Sequence, residues 1–344
     1  MNTEPSFLDR PASVPLIRRL VAADTLRPDE ARRMEANLRA DLPWRLWLDR
    51  GLLILGVILI VAGIGYFFAH NWRHLTESDK LGLSAGSVLV AFLGAVYAGF
   101  DHFIGKLLLL AASMLVGVFL AVFGQVYQST EDTYVLFWVW ATLILPWVIL
   151  GRFVPLWLFC LALVNAALGF FWSITTWFFS DPNGGLLSFR TEMLSLFVLN
   201  LTALALREWA SWKKVPWLDR HWSAWLLLTA VLVAATTETT YEIFRTWDSS
   251  PDISGWPAAF TVVLQVLLIL GATSYFFRFR PSLPSLALTT LSACWIATIL
   301  AIRLVFPDHG DPEAGTWLIM GFLILGIFGG GVYLLRLASH SIAH

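Results

Sequence analysis

The chain has 344 residues, 58% of them hydrophobic and only 14% charged, with a mean hydropathy of +0.70 and a formal net charge of -1. Soluble domains run roughly 45–50% apolar and about 25% charged, so this composition excludes a water-soluble globular protein and points to an integral membrane protein. The two cysteines, Cys160 and Cys294, lie inside apolar runs without polar neighbours, which argues against a disulfide framework or a metal site and for small buried side chains.

The first 50 residues hold nine arginines and eight carboxylates, and the first long apolar run begins only at Gly51. That start is too late, and its front too charged, for a cleavable signal peptide, so the segment is expected to be retained. Within it, LIRRLVAADTLRPDEARRMEANLRA reads as two short helices. Leu16, Ile17, Leu20 and Val21 mark an apolar stripe on the first. Pro28, Asp29 and Glu30 suit the first turn of the second, where proline fits and carboxylates meet the positive end of the helix dipole. The expectation is a cytoplasmic helical hairpin, either a passive collar beside the membrane or a docking module.

Ten charge-poor runs then follow, near 51–69, 81–100, 107–126, 134–150, 153–178, 189–206, 223–241, 257–277, 285–306 and 315–335. About 20 apolar residues cross the hydrocarbon layer as a helix, and lipid offers no partner for a lone strand, so each run is predicted to be a transmembrane helix. The fourth and fifth are separated only by GRFVP, which implies a tight hairpin with Pro155 opening the next helix. The sixth is the weakest span, since Arg190 and Glu192 must sit at its rim or pair. Gly82 and Gly86 in the second run, and Gly326 and Gly330 in the tenth, form GxxxG patterns that permit close helix approach. Asn165, Asn200 and Gln265 lie inside spans, where interhelical hydrogen bonds account for them.

Basic loops stay on the cytoplasmic side. With the N-terminus inside, 18 of the 23 basic residues fall on inner segments and 5 on outer ones, so an even number of spans with both termini cytoplasmic is expected. Trp44, Trp47 and Trp72 bracket the first span. Trp209, Trp212, Trp217 and Trp222 crowd an inner loop with Lys213, Lys214 and Arg220. Aromatic and basic residues interleaved beside two spans read as headgroup-level anchors rather than a nucleic-acid surface.

In this frame the stretch GQVYQSTEDT closes the third helix on the outer side, where the first helix also ends in AHNWRH. His70, Asn71, Trp72, Gln125, Tyr127 and Gln128 therefore form the leading candidate site. Their amides and phenol can hydrogen-bond a headgroup, a sugar or a partner backbone, or can simply cap helix ends. Glu238 and Glu242, one turn apart in ATTETTYE, could bind a cation or shuttle a proton at the membrane rim, or be an ordinary solvated helix end. Asp308, His309, Asp311 and Glu313 in FPDHGDPE offer hard-cation ligands without fixed spacing. Phosphate-cradling glycine loops and HExxH do not occur in the sequence, so neither catalysis nor a cofactor is expected.

The run GLLILGVILIVAGIGYFFAHNW, followed some fifty residues on by GVFLAVFGQVYQSTEDTYVLFWVWATLILPW, resembles the bacterial membrane proteins grouped as "domain of unknown function 2157". The resemblance rests on Asn71 and Trp72, on Gly124, Gln125, Tyr127 and Gln128, and on Leu136, Phe137, Trp140 and Pro146, over roughly residues 15–150. It implies a polytopic helical protein of the bacterial inner membrane and carries no established activity with it.

The sequence thus leads to an all-α, multi-pass membrane protein. Its expected parts are a cytoplasmic segment at 1–50, four family-like transmembrane helices at 51–150 and six further ones at 151–344. The leading functional expectation is a non-catalytic component of an envelope assembly that recognises a partner protein or lipid headgroup on its outer face. The alternative is a transporter or lipid flippase for a small polar or lipid-linked substrate, with Glu238 and the glutamines lining its path.

Overall fold

A computed structural model describes residues 17, 20–21, 26–27, 29–31, 34, 44–128, 132–178, 186–215, 217–218, 221–248, 256–306 and 314–343. Among the described residues the regular structure is helical, and ten helices are long and apolar enough to cross a membrane. They are α1 (Trp44–Asn71), α2 (Glu77–Ala98), α3 (Phe103–Val126), α4 (Thr133–Gly151), α5 (Val154–Phe178), α6 (Leu186–Trp212), α7 (His221–Asp248), α8 (Trp256–Arg278), α9 (Leu283–Val305) and α10 (Ala314–Ala343). The ten predicted spans are all present. At 1.5 Å per residue even the weakest, α6, is about 40 Å long, because its helix continues past Leu206 to Trp212.

The chain forms two units, Met1–Leu75 and Thr76–His344. In the first, Ile17, Leu20 and Val21 are helical, as are Asp29–Ala31 and Met34, in line with the two short helices predicted there. Ile17 is buried, and the Ala31 amide donates to the Arg27 carbonyl at 2.9 Å. α1 ends at Asn71, whose carbonyl accepts from the amides of His74 at 2.9 Å and Leu75 at 3.2 Å.

The second unit begins with a capping box. The Thr76 hydroxyl accepts from the Asp79 amide at 3.2 Å, and the Asp79 carboxylate accepts from the Thr76 amide at 3.3 Å. Gly99 stops α2 with φ +80°, and α3 returns so closely that a Cβ on Gly105 would lie 2.1 Å from the Gly99 carbonyl oxygen. Arg152 and Lys214 end α4 and α6 in the left-handed region, at φ 42° and 56°. A basic side chain there also meets the negative end of the helix dipole.

Two apolar cores hold this unit together. Leu109, Leu110 and Val116 of α3 pack with Ala141, Ile144 and Val148 of α4 and with Leu156, Cys160 and Leu163 of α5. Leu204 of α6 packs with Leu227, Leu228 and Val231 of α7, Phe276 of α8 and Leu286 of α9. Polar contacts join the halves at α5 and α6. Asn200 Nδ2 donates to Asn165 Oδ1 at 2.6 Å, Asn165 Nδ2 donates back at 3.3 Å, and Trp172 Nε1 donates to Ser195 Oγ at 3.0 Å. The interhelical role expected of the two asparagines is therefore realised.

The GxxxG expectation is corrected. A Cβ on Gly82, Gly86, Gly326 or Gly330 would meet nothing within 4 Å in their unit. The close approaches among the described residues are instead at Gly105, at Gly117 against the Trp140 ring, at Gly151, where a Cβ would lie 2.8 Å from Leu109 Cδ2, and at Gly331, where one would lie 2.7 Å from Cys294 Sγ. Spacing four residues apart makes a groove possible, but packing of larger neighbours decides which glycine is filled.

Candidate functional site

The predicted polar set divides between the units. In the first, His70 is exposed and stacks on Tyr66 at 5.9 Å, and Asn71 Nδ2 donates back to the Phe67 carbonyl at 3.0 Å. Asn71 is thus largely engaged in ending its own helix, and Trp72 is half-buried beside it in sequence.

In the second unit, Gln125, Tyr127 and Gln128 are all exposed at the C-terminal end of α3. The Tyr127 amide donates to the Phe123 carbonyl at 3.0 Å, and its ring lies 4.6 Å from the Phe123 ring. Gln128 takes φ 48°, a left-handed conformation that costs a side-chain-bearing residue about 1 kcal/mol or more. Neither glutamine side chain hydrogen-bonds a described residue of its own unit. Residues 129–131 of the adjoining loop lie outside the described residues.

Two aromatic residues of the same motif, Phe137 and Trp140, are taken up by packing. Trp140 lies over Gly117, with ring atoms 2.2 Å from where a Cβ would stand, and its Nε1 donates to the Ser113 carbonyl at 2.7 Å. Ser113 Oγ donates in turn to Leu109 O at 2.8 Å, so the extra bond is made inside a fully buried stretch of α3. Phe137 stacks on Phe170 at 5.3 Å with an interplanar angle of 8°.

A second site lies at the C-terminal half of α7. Gln265 of α8, only 1% exposed, donates from Nε2 to Thr236 Oγ1 at 3.0 Å and to Ser292 Oγ at 2.9 Å, and those two hydroxyls are 2.9 Å apart. Three helices, α7, α8 and α9, are thereby tied at one level. On one side of this tie a cleft of about 350 Å³ opens between α6, α7 and α8, with Phe197, Phe260 and Leu264 on apolar walls and Glu238, Thr239, Thr261 and Gln265 as its polar residues. On the other side, a cavity of about 570 Å³ between α7 and α9 reaches Thr236 and Ser292.

The alternative of a solvated helix end for Glu238 and Glu242 is overturned. Glu242 is fully buried and paired with Arg245, whose Nη2 lies 3.0 Å from Oε2. Glu238 is half-buried and stands ten residues, about 15 Å, short of the end of α7. The helix runs to Asp248 rather than stopping near 241, which draws both carboxylates into the bundle. The Asp308, His309, Asp311 and Glu313 group lies outside the described residues.

At the opposite end of the same helices is a charge network that sequence reasoning missed. Arg207 is 1% exposed, pairs with Glu208 and donates from Nε to Ser223 Oγ at 3.3 Å. Glu208 also accepts from the Tyr275 hydroxyl at 2.7 Å and lies 3.6 Å from Arg280 Nε. The residues come from the end of α6, the start of α7 and the end of α8. The only sequence signal was the adjacent opposite pair Arg207 and Glu208 at a span's edge.

Residues 18–157 match the family model described as Predicted membrane protein (DUF2157). The matched stretch takes in α1 to α4 and the start of α5, and with them Trp72, Gln125, Tyr127, Gln128, Gly117 and Trp140. The Glu238 cleft and the Arg207 network lie beyond it. No curated protein and no solved structure matches the chain.

Proposed function

We propose that the protein is a non-catalytic, multi-pass component of an envelope assembly in a bacterial inner membrane. In this reading both termini are cytoplasmic, and the end of α3 recognises a partner on the outer side. The observation that carries it is the division of labour within the family-matched stretch. Gly117, Phe137 and Trp140 are consumed by packing, whereas Gln125, Tyr127 and Gln128 stay exposed, with two glutamine side chains unengaged in their unit. Amides and a phenol held at a membrane interface suit recognition of a protein backbone or a polar headgroup.

The test is purification in native lipid, with and without Gln125→Leu and Gln128→Leu. Neither change removes an internal hydrogen bond, so both variants should melt with the parent. A stoichiometric protein that co-purifies with the parent and is lost from the variants supports the reading. Unchanged co-purification in both variants rejects this face as the recognition surface.

A second reading, movement of a small polar or lipid-linked substrate across the membrane, is favoured by the cleft around Glu238 and Gln265. Ionisable groups within a transmembrane bundle are costly and are commonly kept for ligand or ion handling. Flux of fluorescent lipids or of small solutes into liposomes bearing the protein tests it. Flux equal to that of empty liposomes rejects it.

A further inference from the structure

We propose that the shared end of α6 and α8 holds the headgroup of an anionic phospholipid of the bilayer. The site is separate from the exposed end of α3 and from the Glu238 cleft. It arises where two helix ends bring together more positive charge than their one carboxylate can match.

Glu208 joins the two ends. It pairs with Arg207 on its own helix, accepts from the Tyr275 hydroxyl at 2.7 Å and lies 3.6 Å from Arg280 Nε, so the last turns of α6 and α8 meet there. Those contacts occupy the carboxylate. Three further cations stand at the same end, Lys213 and Lys214 directly after α6 and Arg278 in the last turn of α8, and all three are exposed. No carboxylate pairs with any of the three among the described residues. Arg207, Lys213, Lys214, Arg278 and Arg280 thus share Glu208 as the one acidic residue on these two helix ends. Lys213 Nζ lies 5.9 Å from the centre of the Trp209 ring, a contact that holds the side chain at the surface without neutralising it.

The surroundings say which anion fits. Trp209, Trp212 and Phe279 are 60–67% exposed beside these cations, and large rings at the end of a membrane span take the headgroup level. Deeper in the two spans, Leu206 and Leu270 are exposed and apolar. A phospholipid therefore meets cations at its phosphate, aromatic rings just below, and an apolar helix surface along its chains. An acidic protein or a nucleic acid would match the charge and leave the rings and the apolar stretch without a counterpart. A zwitterionic lipid brings a cation of its own, which offsets the attraction. Each lysine or arginine close to an anionic membrane surface is worth about a fivefold gain in binding, and salt weakens it.

The experiment uses the full chain, delipidated in an uncharged detergent at low salt and offered equal amounts of phosphatidylglycerol and phosphatidylcholine with identical chains. Native mass spectrometry reads the ratio of the two lipids retained. The expected ratio favours phosphatidylglycerol by about tenfold or more, and Arg278→Gln and Lys213→Gln should each lower it by about fivefold. Lys106→Gln removes a cation at the start of α3, which packs with α4 and α5, and should leave the ratio within about twofold. Arg278 is exposed and makes no ion pair, so Arg278→Gln should melt with the parent and a lost preference is not a lost fold.

A ratio near one in the parent overturns the proposal. So does a loss in Lys106→Gln as large as that in Arg278→Gln, because the preference would then belong to the whole charged surface rather than to this patch. An acidic protein that co-purifies with the parent and is released by Arg278→Gln, with the lipid ratio unchanged, assigns the patch to a protein and rejects the lipid.

Discussion

The Trp140 indole lies across Gly117 so closely that its ring atoms occupy the position a Cβ would take, 2.2 Å away, while its N–H reaches the Ser113 carbonyl at 2.7 Å. This contact joins α4 to the middle of α3, the most enclosed span among the described residues. The small residue makes the slot and the large one fills it.

Gly117→Ala should therefore destabilise by about 1–3 kcal/mol, the usual cost of overpacking a close-packed interior. Trp140→Phe, which shrinks the ring and drops its hydrogen bond, should destabilise alone yet relieve part of the Gly117→Ala effect. Thermal melts of the two single variants and the double variant in one detergent check this. Additive losses would mean that the two side chains do not compete for the same space.

Gly330 and Gly331 are neighbours in α10 with opposite surroundings. A Cβ at Gly330 meets open space within its unit, whereas one at Gly331 meets Cys294 Sγ at 2.7 Å and Thr290 Cγ2 at 3.2 Å. Gly330→Ala should be within about 0.5 kcal/mol of the parent. Gly331→Ala should cost about 1–2 kcal/mol, and adding Cys294→Ala should recover most of it by removing the sulfur. A melt in which the two glycine variants behave alike would contradict this packing.

Much of this fold was legible in the sequence because a membrane span is written in a single variable, the length of an uncharged run. α2 to α5 and α7 to α10 fall close to the runs read from residues 81–178 and 223–335. The ends were harder. α7 extends from His221 to Asp248, and since helix length past the hydrocarbon is set by packing rather than hydropathy, Glu242 was read as rim material although it is fully buried.

Partners across helices were also invisible where no periodicity marks them. Asn165 and Asn200 could be expected to bond some neighbour. Nothing in their spacing named each other, nor did it join Gln265 to Thr236 and Ser292. The exposed state of Gln125, Tyr127 and Gln128 was equally unreadable, because a polar residue at a helix end is written the same whether it caps or waits for a partner.

Arg207 and Glu208 make a sharper test of what burial does to charge. Arg207→Met removes the guanidinium from Glu208 and Ser223 and leaves Glu208 with Tyr275 and Arg280. Breaking a buried pair by deleting one partner costs about 3–5 kcal/mol, because the other charge is stranded. Glu208 keeps two partners, so the loss should fall toward the lower end. Arg207→Met combined with Glu208→Gln should be less damaging than Arg207→Met alone. Denaturant or thermal unfolding of the three variants checks this order. If the double variant is the least stable, the network contributes by direct attraction beyond relief of a stranded charge.

The last prediction concerns the orientation proposed from the charge bias. A reporter active only outside the cytoplasm should be active when fused after Thr130 or Asp252 and silent when fused after Lys214 or at His344. Thr130 follows α3 and Lys214 follows α6, so with antiparallel neighbours the two positions must lie on opposite sides. The sign of the pattern then rests on lysine and arginine alone, 18 of 23 of which lie on the side proposed as cytoplasmic. Activity at Lys214 with silence at Thr130 would invert the protein and place the exposed end of α3 in the cytoplasm. Activity at both Thr130 and His344 would mean an odd number of crossings. In that case α6, with Arg190 and Glu192 in its first turns and Arg207 and Glu208 near its end, is the first segment to test for failure to cross.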